Sequence, residues 1–329
     1  MEPSLFTRLR PWLAWVVAFY GVWLALQHHF GAWADTAAHW PIALAMALGS
    51  YVAGPTPMGG GTVGFPVLVL FFDLPPGLGR NFALVIQSVG MTSASIFILC
   101  TRIPIETRAI LWTLPAALVG LLVGTFVFVP LLDDTTVKLV FACLWMSFGA
   151  LTLARNHALC QLTGRPELRG ALAARVGALV GLAGGVTAAL TGVGIDMILY
   201  AVLVLSFRCE VVTAIASSVI IMAATSLMGT ALHLALGDLE PEVFAHWLAA
   251  SPVVILGAPL GAYLVTLISR ERTMRLVAIL CTFSFVWTLV QVPLGPAEIA
   301  FVLANLALAW VLFALMDRRG RARAPQGPP

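Results

Sequence analysis

Residues 54–61 read Gly-Pro-Thr-Pro-Met-Gly-Gly-Gly and interrupt an otherwise apolar stretch. On one side lie residues 41–54 and on the other 62–74. Each is shorter than the roughly twenty residues a helix needs to cross a bilayer. A second interruption, Thr191-Gly192-Val193-Gly194, splits 176–190 from 195–207. Half-length apolar segments broken at glycine point to discontinuous or re-entrant helices rather than ordinary spans. Outward from these breaks, long apolar segments fall at 11–30, 81–101, 109–132, 136–154, 211–236, 244–268, 274–292 and 297–316. Each is long enough to span.

Composition agrees. The chain of 329 residues is 60% apolar and only 10% charged, whereas soluble domains run at roughly half apolar and a quarter charged. So few charges cannot coat a soluble globule of this size. A soluble enzyme, a disordered chain and a nucleic-acid binder are excluded. Alternating ten-residue segments are absent, which excludes a transmembrane β-barrel. The expected fold is an all-α polytopic membrane protein. Cys100, Cys143, Cys160, Cys209 and Cys281 show no metal-ligand spacing and read as apolar fillers. No cofactor and no metal is expected. Arg8 and Arg10 before the first apolar run, with Ala32-Trp33-Ala34 after it, resemble a signal peptide. The run is long for one and reads instead as a retained first helix.

Charge placement sets sidedness. With the N-terminus inside and each broken pair returning to its own side, the inner loops hold all of the 18 basic residues except Arg80 and Lys138. Outside lie Asp35, Asp73, Asp133, Asp134, Asp238, Glu240, Glu242 and Glu298. This positive-inside bias places both termini in the cytoplasm; a bacterial cytoplasmic (inner) membrane is the expected location. Apart from Lys138 and Arg275, each within the first three residues of its segment, no Lys or Arg falls inside an expected span.

The halves repeat. Pro115–Gly120 followed by Gly124 matches Pro252–Gly257 followed by Gly261, at an offset of 137. Gly59 and Gly61 match Gly192 and Gly194 at an offset of 133, and Thr92-Ser93 matches Thr225-Ser226. Each repeat is a broken pair plus three spans. Three is odd, so the second repeat must be inverted. Asp133 and Asp134 outside, against Arg270 and Arg272 inside, agree. The expected units are an N-terminal helix (1–40), repeat 1 (41–155), a cytoplasmic linker (156–174), repeat 2 (175–292), and a C-terminal helix with a basic tail (293–329). Inverted repeats with discontinuous helices are a layout of secondary transporters, whose substrate sits at the repeat interface.

The chemistry should lie where the breaks meet. A half-helix starting at Gly59, Gly60, Gly61 and Thr62 offers unpaired amides and the positive end of its dipole. Thr191, Gly192, Val193 and Gly194 supply a second such end. Opposed helix starts can hold a small anion without a buried cation. Close helix packing through small residues is the other reading of these glycines, and it is favoured for Gly120, Gly124, Gly257 and Gly261. The spans that follow carry Asn81, Gln87, Ser88, Thr92 and Ser93, and Thr213, Ser217, Ser218, Thr225 and Ser226. Gln87, Ser217 and Ser218 are candidate neutral donors to the anion; interhelical hydrogen bonding would equally explain the hydroxyls. Asp196 is the one acid expected at membrane depth. It is a candidate carrier of a coupling proton, and equally a helix-capping carboxylate. His233 and His246 read as interfacial.

Gly54-Pro-Thr-Pro-Met-Gly-Gly-Gly61 followed by Pro66, with the second break at Gly192-Val-Gly194, resembles the signature of sulfite exporter TauE/SafE family permeases. The resemblance covers about residues 41–292. It implies export of small sulfur-containing anions such as sulfite or organosulfonates, sulfoacetate among them. The second half departs from the pattern: it lacks the triple glycine and carries Asp196 in its place. The residues alone leave a carboxylate carrier open. A membrane-embedded enzyme lacks a nucleophile–base pair at depth. No nucleotide-binding loop is present, so a gradient or the substrate's own potential must drive transport. A small anion, protons and the bilayer are the expected partners, and a homodimer is compatible with the layout.

Overall fold

The computed structural model describes residues 5–54, 56–164, 168–264 and 270–323. Helices α1 (Leu5–Phe30), α2 (Trp33–Ala38) and α3 (Trp40–Ala53) precede the first break. After it come α4 (Gly61–Pro66), α5 (Pro76–Thr101), α6 (Thr107–Val123) and α7 (Asp134–Cys160). The second half runs α8 (Gly170–Thr191), α9 (Ile195–Ala201), α10 (Val211–Leu236), α11 (Pro241–Leu264) and α12 (Arg270–Gln291), and α13 (Pro296–Arg323) closes the chain. No strand occurs among the described residues, and nine of their helices are long and apolar enough to cross a membrane. The protein is an all-α polytopic membrane protein.

Two short helices widen in the same way. α4 passes into a π-helical turn at Val67–Phe71, and α9 into one at Val202–Ser206. Pro66 has no N–H to donate, so the regular ladder is interrupted where the first widening begins. The expectation of a half-length segment at 176–190 is corrected. α8 has 22 residues and spans by itself. Arg175 marks where apolar sequence ends, but arginine and alanine are good helix formers, so the helix continues back to Gly170.

α5 and α10 are the most buried spans and pack along each other. α6 lies on α8, α11 on α3, and α7 on α12. The α6–α8 pair is in near backbone contact. A Cβ on Gly181 or Gly185 would run into the backbone of Thr113 and Ala117 or of Ala117 and Leu121, and one on Gly120 or Gly124 into that of Leu182 or Val186. Gly181→Leu is therefore expected to push α6 from α8, at a cost of about 1–3 kcal/mol or more. A drop of several degrees in the unfolding midpoint in detergent checks this.

α1 and α13 are peripheral: only 6% of the apolar window of either is buried. α1 is held by Tyr20 Oη donating to the Pro252 carbonyl (2.6 Å) and Trp23 Nε1 to that of Leu248 (2.9 Å). α13 is held by Asp317, whose carboxylate meets Arg155, Arg208 and Arg321.

Candidate functional site

The two breaks touch. Gly59 N–H donates to Asp196 Oδ2 at 2.8 Å, and Met197 N–H to Asp196 Oδ1 at 2.9 Å. Asp196 stands in the first turn of α9, where unpaired amides favour negative charge. Its side chain reaches across to the backbone of the first break, 137 residues earlier in the chain.

Gln87 of α5 joins them. Its Nε2 donates to the carbonyls of Ala83 (2.8 Å) and Gly192 (2.9 Å). Two carbonyl partners fix that end of the amide as nitrogen. The Oε1 must then face Gly59, and it has no hydrogen-bond partner among the described residues. A Cβ on Gly59 would overlap this oxygen and lie 3.5 Å from Asp196 Oδ2. Gly59 is glycine because a side-chain oxygen occupies the space beside its Cα. Gly61 meets Val193 and Gln87 Nε2 equally closely, each 2.7 Å from where its Cβ would be.

The second break turns on backbone conformation. Gly192 and Gly194 have φ of +77° and +108°, which residues with a Cβ rarely adopt. The turn lets α8 end and α9 start within three residues. Thr191 Oγ1 donates to the carbonyls of Thr187 (3.0 Å) and Val193 (3.1 Å) and braces it.

The structure thus brings together Gly59, Gly61, Gln87, Gly192, Val193 and Asp196, all buried. Gly60 faces Met46, and Gly194 faces Leu144 and Thr187. The Thr62 side chain lies outside the described residues. Ser217 and Ser218 are placed elsewhere. Ser217 Oγ donates to Thr213 O and accepts the Glu106 amide at 2.8 Å, beyond the far end of α5, and Ser218 donates to Ile215 O. Gln87 sits several turns away along α5. At that end, burial pushes the Glu106 carboxyl above the usual range, and burial with Glu106 and Glu210 nearby pushes the Cys209 thiol up to about 12.

One residue was missed from sequence. The expectation that Arg80 lies outside the spans is corrected. Pro76 opens α5, where its missing N–H costs nothing, so the helix begins before residue 81 and takes Arg80 with it. Arg80 is 8% exposed, and its backbone carbonyl abuts Gly192. Its Nε donates to Asn81 Oδ1 (3.1 Å). Asn81 Nδ2 donates to Asp238 O (3.2 Å) and Glu240 Oε2 (3.0 Å). His233 Nδ1 meets the Asp238 carboxylate at 2.9 Å. These contacts tie the start of α5 to the α10–α11 loop, and the two acids balance the buried arginine. The signal was legible: Pro-Pro-Gly before Arg80 is a helix start. His233 and His246 are both buried within the protein.

The cluster can hold negative charge and can accept one more hydrogen. The Gly59 amide already binds a carboxylate, and Gln87 Oε1 waits for a donor. The sulfite exporter TauE/SafE family matches this chain over residues 42–288. The chain belongs to the TauE/SafE family. Searches of curated proteins and of solved structures return no match. In this TauE/SafE member the matched range begins in α3 and ends in α12, so every residue of the cluster lies inside it. α1, α2 and α13 lie outside it. TauE/SafE proteins are membrane transporters, and the site is read accordingly.

Gln87→Leu is expected to leave the Gly192 carbonyl buried without its partner. Such a loss costs about 1–3 kcal/mol. A lowered unfolding midpoint together with reduced flux checks that Gln87 joins the two breaks.

Proposed function

We propose that the protein is a secondary carrier of small sulfur-containing anions, sulfite or an organosulfonate such as sulfoacetate, and that it exports them by alternating access. The observation that carries this reading is the Gly59 N–H held on a carboxylate where two helix breaks meet, in a buried setting. A group that binds one oxyanion there can bind another. In our reading the substrate competes with Asp196 for the Gly59 amide. Two anions in so apolar a place repel strongly. A proton on Asp196 would relieve that repulsion, and Gln87 Oε1, unpartnered on the same side of Gly59, would be the acceptor it turns to. The site would then move a proton with the anion.

The paired packing of α6 with α8, α11 with α3 and α7 with α12 supports two interlocked inverted repeats at 41–155 and 175–292, joined by 156–174. Rocking one against the other would open the cluster to either side in turn. The arginine bias supports cytoplasmic termini in an inner membrane.

A carboxylate carrier is the second reading, and one observation favours it: the group the amide holds here is itself a carboxylate. Flux into proteoliposomes separates the two. Sulfite and sulfoacetate should move faster than acetate. Faster acetate transport would select the second reading, and no flux of any anion would remove both.

A further inference from the structure

At the arginine-rich end of the bundle, α7, α12 and α13 converge on an open-sided cavity of about 520 Å³. Arg155 and His157 of α7, Arg275 of α12 and Arg321 of α13 line it. We propose that this cavity binds the phosphate of an anionic glycerophospholipid.

The charges are arranged for that. Asp317, 4% exposed, sits behind the cavity. Its carboxylate takes Arg155 at 2.5 Å, Arg208 at 2.7 Å and Arg321 at 3.0 Å. The acid holds three guanidinium groups in place and offsets only one of their charges. His157 is paired with Glu271 at 2.8 Å, and Arg275 makes no ion pair among the described residues. Four arginines against two carboxylates leave two positive charges uncompensated. Guanidinium groups fixed on three helices can grip a phosphate through paired N–H bonds.

The apolar surroundings select a lipid as the source. Leu153 lines the same cavity and is half exposed. Toward the middle of the bundle, α12 continues with exposed Ile279 and α13 with exposed Leu315. A headgroup seated among the arginines would lay its acyl chains along these faces. Basic pockets between spans near the membrane surface bind phosphate headgroups in this way. Of the lining residues only Arg321 of α13 lies beyond the family match at 288, so the site joins the matched core to the C-terminal helix.

The test uses the purified full-length protein and native mass spectrometry after exchange into micelles doped with phosphatidylglycerol or phosphatidylcholine. About one phosphatidylglycerol per chain should be retained, and phosphatidylcholine should not. One arginine near a bilayer surface is worth about 1 kcal/mol, so Arg275→Gln should weaken retention roughly fivefold. Arg275 holds no other side chain, so its loss should not unfold the protein, and a wild-type unfolding midpoint confirms that. Arg318→Gln, on the same helix end but outside the cavity, should retain lipid as the wild type does. Equal retention of both lipids, or undiminished retention by Arg275→Gln, overturns the proposal. Displacement of the lipid by millimolar inorganic phosphate would make this a free-anion site and overturn the lipid assignment.

Discussion

Gly59→Ala is expected to lower anion flux by about tenfold or more, whereas Gly60→Ala should keep most of it. The two glycines are neighbours in one motif and differ in what a methyl group would meet. At Gly59 it overlaps the Gln87 amide oxygen, whose position is set by the Ala83 and Gly192 carbonyls. Gln87 can yield only by giving up one of those bonds. At Gly60 the nearest atom is the terminal methyl of Met46, at 3.2 Å, on a side chain that can move. Overpacking a rigid site costs about 1–3 kcal/mol, enough to displace the Gly59 amide from its carboxylate. Transport into proteoliposomes measures the outcome, with the amount inserted checked for each variant. Equal flux for the two variants would move the working site away from the Gly59 amide.

Asp196→Asn is expected to abolish uptake driven by a proton gradient while preserving counterflow exchange of labelled anion. Asparagine resembles the protonated acid. It is neutral, it presents one acceptor oxygen, and its NH2 can satisfy Gln87 Oε1. It cannot carry a proton on and off. It also cannot accept both amides that Asp196 accepts, so either Gly59 or Met197 loses its partner. An unpaired buried amide costs about 1–3 kcal/mol, and the variant should unfold at lower temperature as well. Loss of exchange along with driven uptake would make Asp196 structural, a capping carboxylate of α9. Uptake that still follows the proton gradient would remove it from coupling.

These two expectations rest on different amounts of legible sequence. The breaks themselves were plain, because glycine and proline in an apolar run interrupt a helix wherever the chain goes. Asp196 stood out for a similar reason: a carboxyl at membrane depth is costly and needs a partner. Gln87 was identified by the same expense. None of these residues carries the name of its partner. That Asp196 meets Gly59, and that Gln87 spans from Ala83 to Gly192, follows from how two distant segments fold together. Ser217 illustrates the opposite outcome. A hydroxyl on the equivalent helix looked like a site donor, yet it accepts the Glu106 amide at the far end of α5. Side-chain type cannot report height along a helix. Arg80 was misread because the span was started just after the last charged residue, at Asn81, whereas the helix starts at Pro76.

By itself the sequence determined that this is an all-helical membrane protein, where its helices break, and which residues are too polar to be buried for nothing. Local chemistry is enough for each of these: apolar length, absent N–H groups, positive φ at glycine and the cost of desolvating charge. Only the tertiary structure decided that the Gly59 amide, just before the helix start at Gly61, is already held by the protein's own carboxylate. That pairing spans 137 residues. It depends on two turns meeting beside α5, and no local pattern encodes the distance between one break and the other.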